Sequence, residues 1–389
     1  VNVQHQRVVG RALATVLLVA TTVACTSNLR LIGRSSNPCS LEYAGLDGPW
    51  VLARGERTVR VVHREVEDET LTLRYGAPQT DAARTLDFSD GDSEDCFAYA
   101  DVELDARLVP KFWYRVVADG IPSRRYEVDV GPHTDDVRRV VIFGDTRPNL
   151  GPARKVMQVI QSREPQLYAH TGDMVTRGRR IDLWNRFMQV QEPMMSRTPF
   201  IPVRGNHDLG SDAYERMFLQ QYKRKEPQRY YTVQYDRAWY IVLETNDHFG
   251  TDDPQYAFLR DTLAAAKAAQ VPYLFILSHH PAYSNGKHGD TKWYRDLLTP
   301  LTRKYRPTAV FAGHDHNYER FKPRDGTVFI TAGGGGAVLK NVHPDEHTAA
   351  FSANYSFLEL DIADGVIEAR AFNALGTEID RFTLAPRTF

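Results

Sequence analysis

Residues 307–320 read PTAVFAGHDHNYER: an apolar run closed by a glycine, then His314 and His316 two residues apart. On an extended segment, alternation throws both imidazoles to the same side, where each can reach a metal. The pair alone is a weak sign, because neighbouring histidines are commonly solvated loop residues. Its weight comes from four further clusters, each at the end of its own apolar run. They are Asp145 in VVIFGDTR, Asp173 in LYAHTGDMV, Asn206 with His207 and Asp208 in FIPVRGNHD, and His279 with His280 in FILSHHPAY.

Outward from this stretch, residues 138 onward alternate apolar strands with amphipathic helices. Strands are predicted at 140–143, 166–169, 200–203, 273–277 and 309–311, and helices at 153–161, 181–191, 255–269 and 293–305. Beyond residue 327 the pattern returns to strands. This is an α/β domain with a mixed sheet or two stacked sheets. Ligands of such domains gather on loops past the carboxyl ends of strands, and every cluster above sits at such an end.

Upstream, residues 58–63, 70–75, 112–117 and 126–130 read as short strands separated by turns such as Gly76-Ala77-Pro78 and Asp119-Gly120. Long helical periods are missing, so the segment from about residue 38 to 133 is expected to be an all-β sandwich of about 100 residues. Gly131-Pro132-His133 is the expected hinge into the second domain, 137–389.

The chain has 389 residues, enough for two cores, with 48 basic and 49 acidic side chains and a formal charge of −1. That balance gives no ground for nucleic-acid binding, so attraction of anions must be local. The basic run Lys223-Arg224-Lys225 reads as a solvated loop. The first residues differ from the rest. Arg7 and Arg11 precede the apolar stretch 12–23, too short for a permanent span, and Ala24 precedes Cys25. Residues 1–24 are therefore read as a secretion signal and 25–37 as a polar tether. Ala24-Cys25-Thr26-Ser27 resembles a bacterial lipoprotein cleavage site, so Cys25 is a candidate lipid anchor; Thr22 departs from the usual leucine, and ordinary cleavage after Ala24 is the other reading. An exported, periplasmic or cell-surface chain leaves Cys39 and Cys96 to pair as a disulfide or remain buried thiols.

Hard oxygen ligands and a water nucleophile suit a pair of cations held by nitrogen and oxygen donors. Asp145, Asp173, Asn206, His279, His314 and His316 supply that donor set, with no cysteine near any of them in sequence. The motifs GDTR, GDMV, GNHD, SHHPAY and GHDHNYER resemble those of the calcineurin-like metallophosphoesterases. The last motif, with the β-sandwich in front, most resembles the purple acid phosphatase branch and its fibronectin type III-like domain. The resemblance spans about residues 50–385 and implies a catalytic domain of two mixed sheets flanked by helices in four layers. It implies a dinuclear centre of iron, zinc or manganese, with Asp145 and His316 on the first metal, Asp173 bridging, and Asn206, His279 and His314 on the second. His280 is left as a neighbour.

Two departures stand out. The purple enzymes carry a tyrosine three residues after the bridging aspartate, where this chain has Thr176. Other branches place a histidine two residues after the first aspartate, where this chain has Arg147. The resemblance thus implies a colourless centre whose first metal is short of protein ligands, the gap falling to water, Thr176, His170 or Asn149. Arg147 has two readings, contact with a substrate phosphate or an ion pair. His207 matches an outer histidine that contacts phosphate, and His288 is the candidate for protonating the leaving alkoxide, its alternative being an exposed loop residue. The glycine run 333–336 lacks the lysine of a nucleotide loop and reads as a close-approach turn. The implied activity is an exported phosphomonoesterase acting on a phosphate ester. The rivals are a phosphodiesterase or nucleotidase on the same centre, and a surface binding protein with weakened catalysis.

Overall fold

Strands that run parallel bring their carboxyl ends to one edge, and this alignment is what gathers the clusters. In the computed structural model, which describes residues 48–55, 57–64, 69–89, 96–131, 137–147, 150–219 and 228–389, Arg138–Phe143, Leu167–His170 and Phe200–Pro202 are adjacent and parallel. Ala238–Val242, Tyr273–Leu277, Ala309–Ala312 and Val328–Ala332 form a second parallel block. Among the described residues these blocks belong to a nine-stranded and a seven-stranded sheet, both mixed. The leader, the tether, Cys25, Cys39, Asn149, most of the expected hinge and the run 223–225 lie outside the described residues.

The period of two along each strand decides the layering. Val140, Ile142, Leu167 and Ala169 point into the space between the sheets, against Tyr240, Phe275 and Phe311 of the second. Their neighbours Val141, Phe143, Tyr168 and Phe200 point the other way, onto the helices Leu150–Ser162 and Ile181–Met195. Those helices answer with Val156, Met157, Ile160, Trp184 and Phe187, an apolar stripe at helical spacing. On the far side Pro254–Ala268 and Lys292–Tyr305 cover Ile241, Leu274 and Ile276 with Leu259, Leu263, Leu298 and Leu301. Burying each such side chain contributes about 1.5–3 kcal/mol. Helix Pro254–Ala268 starts where the sequence says it should: the Asp253 side chain accepts the Gln255 N–H, and Pro254 follows at the first turn. The result is the helix–sheet–sheet–helix order expected from the resemblance.

The N-terminal part is a sandwich of two sheets around Val51, Val59, Val61, Leu73, Phe112 and Tyr114. One sheet is the antiparallel set Arg84–Asp87, Leu71–Gly76, Lys111–Ala118, Ile121–Pro122 and Tyr126–Asp129. The other consists of Trp50–Ala53, Thr58–Arg64 and Phe97–Glu103, and it continues the nine-stranded catalytic sheet. Trp50–Ala53 lies parallel to Phe200–Pro202, with Leu52 opposite Phe200. The Trp50 indole N–H donates to the Met217 carbonyl at 3.1 Å, and the Tyr114 hydroxyl donates to the Ser196 carbonyl at 2.8 Å. Residues 50–53 read WVLA, an apolar run without alternation, because both faces of that strand are buried. Cys96, just before Phe97–Glu103, is disulfide-bonded; its partner lies outside the described residues.

Candidate metal centre

The parallel strand Arg138–Phe143 ends one turn before Asp145, Leu167–His170 before Asp173, Phe200–Pro202 before Asn206, Tyr273–Leu277 before His279 and Ala309–Ala312 before His314. Asp145, Asp173 and His314 all adopt positive φ angles of 58°, 58° and 70°. Such backbone costs about 1 kcal/mol or more per residue and persists only where the surroundings impose it. For the histidine pair this corrects the sequence argument. Residues 314–317 bend rather than extend, so the two rings do not share a side by strand alternation.

Instead the rings part. His316 joins Asp145 and Asp173, whereas His314 joins His279 and His280, and within each group the potential ligand atoms lie within 4.8 Å of one another. Asn206 completes the second group: its Oδ1 lies 3.0 Å from His279 Nε2 and 3.1 Å from His314 Nδ1. Asp173 Oδ1 stands 3.4 Å from His279 Nε2 and links the groups. His280 also lies within reach, although its Nδ1 contacts the Thr245 hydroxyl at 3.2 Å.

Metals fit this set. Two donors about 2.1 Å from one cation stand about 3.0–3.4 Å apart at right or tetrahedral angles, which matches the spacings above. Asp145 Oδ1 and His316 Nε2 face each other at 3.6 Å, too far for a hydrogen bond, and both are buried without a partner. A cation between them would satisfy both. The ring orientations are fixed from behind: His279 Nδ1–H donates to the Thr171 carbonyl at 2.8 Å and His316 Nδ1–H to the Val338 carbonyl at 2.7 Å. Each bond leaves the Nε2 lone pair available to a cation, as outer partners of metal-bound histidines do.

Electrostatics point the same way. Burial pushes His316 down to about 4, His314 to about 2 and His280 to about 3, and it lowers His279, so the imidazoles stay neutral and able to ligate. Burial and the charge of Asp173 push the Asp145 carboxyl well above the usual range. Burial also opposes ionisation of Asp173, yet His279, Arg147 and the His207 N–H hold it below the usual range. Two carboxyl groups this close cannot both ionise in a buried site unless positive charge stands between or beside them.

Arg147 supplies part of that charge. Its Nη2 donates to Asp173 Oδ2 at 2.6 Å. His170, a sequence candidate for the gap, does not enter the site. Its Nδ1 accepts the Gly172 N–H, its Nε2 contacts the Thr146 hydroxyl, and its ring packs on Phe143 and Phe187. Burial lowers it to about 3, so it is a neutral core histidine. Thr176 gives its carbonyl to His207 Nδ1–H at 2.8 Å, and the His207 backbone N–H donates to Asp173 Oδ1 at 2.8 Å. His288, exposed on the loop after His279, lays its ring 4.3 Å from that of His314.

Asp208 is the residue whose part the sequence did not disclose. Fully buried, it accepts the N–H groups of Asp173 at 2.9 Å, Gly205 at 2.8 Å and Val175 at 3.1 Å, tying two ligand loops together. Gly205 is required there, since a Cβ would sit 2.1 Å from the Asp173 nitrogen. The run Gly333–Gly336 leads into Ala337, whose N–H donates to the Asp145 carbonyl at 2.7 Å.

Residues 138–318 match the calcineurin-like phosphoesterase family, and this part of the chain is a calcineurin-like phosphoesterase domain built for a dinuclear metal centre. The fold as a whole is that of the purple acid phosphatases. Purple acid phosphatase PPD1 from yellow lupin (Lupinus luteus) superposes with a TM-score of 0.72 at 20% identity, covering 87% of this chain and 74% of that one. Purple acid phosphatase 21 of Arabidopsis thaliana is 26% identical over 245 residues, 55% of this chain and 56% of the relative. A nucleotide pyrophosphatase/phosphodiesterase of Hordeum vulgare is 23% identical over 297 residues, 62% of this chain and 78% of the relative. The chain thus spans about half the length of the first curated relatives it matches, at 56% and 52%.

Proposed function

We propose that the protein is an exported, metal-dependent phosphomonoesterase. The observation that carries this reading is the juxtaposition of two donor groups through Asp173, with Asp145 Oδ1 and His316 Nε2 buried and unpartnered. Asp145, Asp173 and His316 would hold the first metal, and Asp173, Asn206, His279 and His314 the second. When bound, such a pair lowers the pKa of coordinated water and polarises the phosphoryl oxygens. The chain's own side chains do the rest. His207, whose Nδ1–H donates to the Thr176 carbonyl, would in its doubly protonated form donate its Nε2–H to a phosphate oxygen. Arg147 presents a guanidinium matched to carboxylate and phosphate oxygens alike, so it orients Asp173 and faces the substrate. His288 gives its proton to the leaving alkoxide.

The disulfide at Cys96 supports export, since such bonds persist in oxidising compartments. Among the described residues no helix is long and apolar enough to cross a membrane, and anchoring would fall to a lipid on Cys25. The likeness to the barley nucleotide pyrophosphatase/phosphodiesterase favours a second reading, a phosphodiesterase or nucleotidase on the same centre. Turnover of 4-nitrophenyl phosphate against bis(4-nitrophenyl) phosphate, with metal analysis of the same sample, tests both. A monoesterase prefers the first ester and carries two metals. Preference for the bis-ester moves the assignment to the diesterase, and a protein with neither metal nor turnover is a binding protein.

A further inference from the structure

The segment between the two histidines has a second connection. Asp315, completely buried, turns its carboxylate to the loop that follows the His279 cluster rather than to the metal groups. Its Oδ2 accepts the Ser284 hydroxyl at 2.6 Å, and its Oδ1 accepts the backbone N–H of His288 at 3.0 Å. Ser284 Oγ in turn accepts the Gly286 N–H at 3.0 Å. Four residues on, the buried Glu319 takes the Asn285 N–H on both carboxylate oxygens, at 3.1 and 3.0 Å. The loop can come this close only because residue 286 is glycine, as a Cβ there would stand 2.5 Å from Asp315 Cγ. At the far end of the loop Asp290 accepts the Ser284 N–H at 2.9 Å and pairs with Arg295 at 2.7 Å. An exposed histidine on an eight-residue loop would ordinarily sample many positions. Here its own amide is bonded to a buried carboxylate that sits between two metal-binding histidines, and its ring lies against one of them.

We propose that Asp315 is a positioning residue: it holds loop 283–290 so that His288 stands on the leaving-group side of the substrate, in register with the metals. This rests on the phosphomonoesterase reading. The design couples metal geometry to leaving-group geometry through a single backbone run, because His314, Asp315 and His316 cannot shift independently. A buried carboxylate that accepts both a hydroxyl and an amide loses one acceptor on conversion to the amide, and all of them on conversion to alanine.

The experiment compares phenyl phosphate, a poor leaving group, with 4-nitrophenyl phosphate, a good one, in the full-length metal-loaded protein and in Asp315→Asn and Ser284→Ala. Both variants should lose about tenfold more turnover on phenyl phosphate than on the nitrophenyl ester. Their metal content should match that of the native protein. Combining Asp315→Asn with His288→Ala should cost no more on phenyl phosphate than His288→Ala alone. Amide hydrogen exchange should speed up across 283–290 in both variants. Equal losses on the two esters, additive losses in the double variant, or unchanged exchange in the loop would each overturn the proposal. Faster exchange in a protein whose native form hydrolyses neither ester would leave the loop clamp standing and refute the phosphatase reading instead.

Discussion

Replacing Asp208 with alanine tests the architecture of the centre without touching a proposed ligand. The substitution deprives Asp173 N, Gly205 N and Val175 N of their acceptor, all inside a fully buried pocket. Each orphaned buried N–H costs about 1–3 kcal/mol, so the sum is at least about 3 kcal/mol even if water enters the space. That is a large share of the roughly 5–15 kcal/mol by which a domain is stable. Asp208→Asn should be milder. Its single carboxamide oxygen can replace Oδ2 and keep Asp173 N and Gly205 N, while its NH2 opposes Val175 N, a cost of about 1–3 kcal/mol. Urea unfolding gives the stability, and elemental analysis of the purified variants gives the metal content. The expected order is native, Asn, then Ala in both measurements, because the same carboxylate holds the loops of Asp173 and Asn206. An alanine variant within about 1 kcal/mol of native stability, with both metals retained, would refute the reasoning.

Asp173→Asn removes the shared charge and should lower turnover roughly a thousandfold or more while reducing metal to below two per chain, read by a single-turnover assay and elemental analysis. Arg147→Ala breaks the 2.6 Å pair with Asp173 and should cut kcat/KM for a monoester by about ten- to a hundredfold, as expected for a charged hydrogen bond; an unchanged value would leave Arg147 with a purely structural part. Thr176→Tyr, reconstituted with ferric iron, should develop a visible absorption band that the native protein lacks, and its absence would show that residue 176 does not face the first metal. Gly205→Ala forces a Cβ onto the Asp173 nitrogen and should abolish metal binding, measured by dialysis against radioactive zinc.

Much of this molecule was legible because its signals are local. Apolar runs ending in Asp, Asn or His mark strand ends, and parallel strands put those ends together, so the candidate donors could be picked out from the residues, while the layer order came from the family resemblance. What escaped depended on partners far away in sequence. Trp50–Ala53 shows no alternation because both of its faces are covered. The hairpin Tyr231–Tyr235 and Ala238–Val242 turns on Asp236 at a φ of 54°, which no glycine announces. His170 resembled a ligand by its place before Asp173, and only the Thr146 and Gly172 contacts show it to be satisfied in the core. Arg147 carried two readings, and its pair with Asp173 supplies the structural one without excluding contact with a substrate. Asp208 and Asp315 lie inside motifs noticed for their neighbours, and a buried carboxylate's acceptor duties leave no trace in spacing.

The sheet that runs on from Phe200–Pro202 into Trp50–Ala53 has a practical consequence. A fragment cut at the expected hinge would keep the whole family match yet bare the edge of a parallel sheet, with the carbonyls of Met217 and Ser196 stripped of the tryptophan and tyrosine that cap them. Open edges of that kind recruit other chains. Anyone trimming the gene to its hydrolytic half should expect inclusion bodies, and should keep the N-terminal sandwich together with the upstream cysteine that pairs with Cys96.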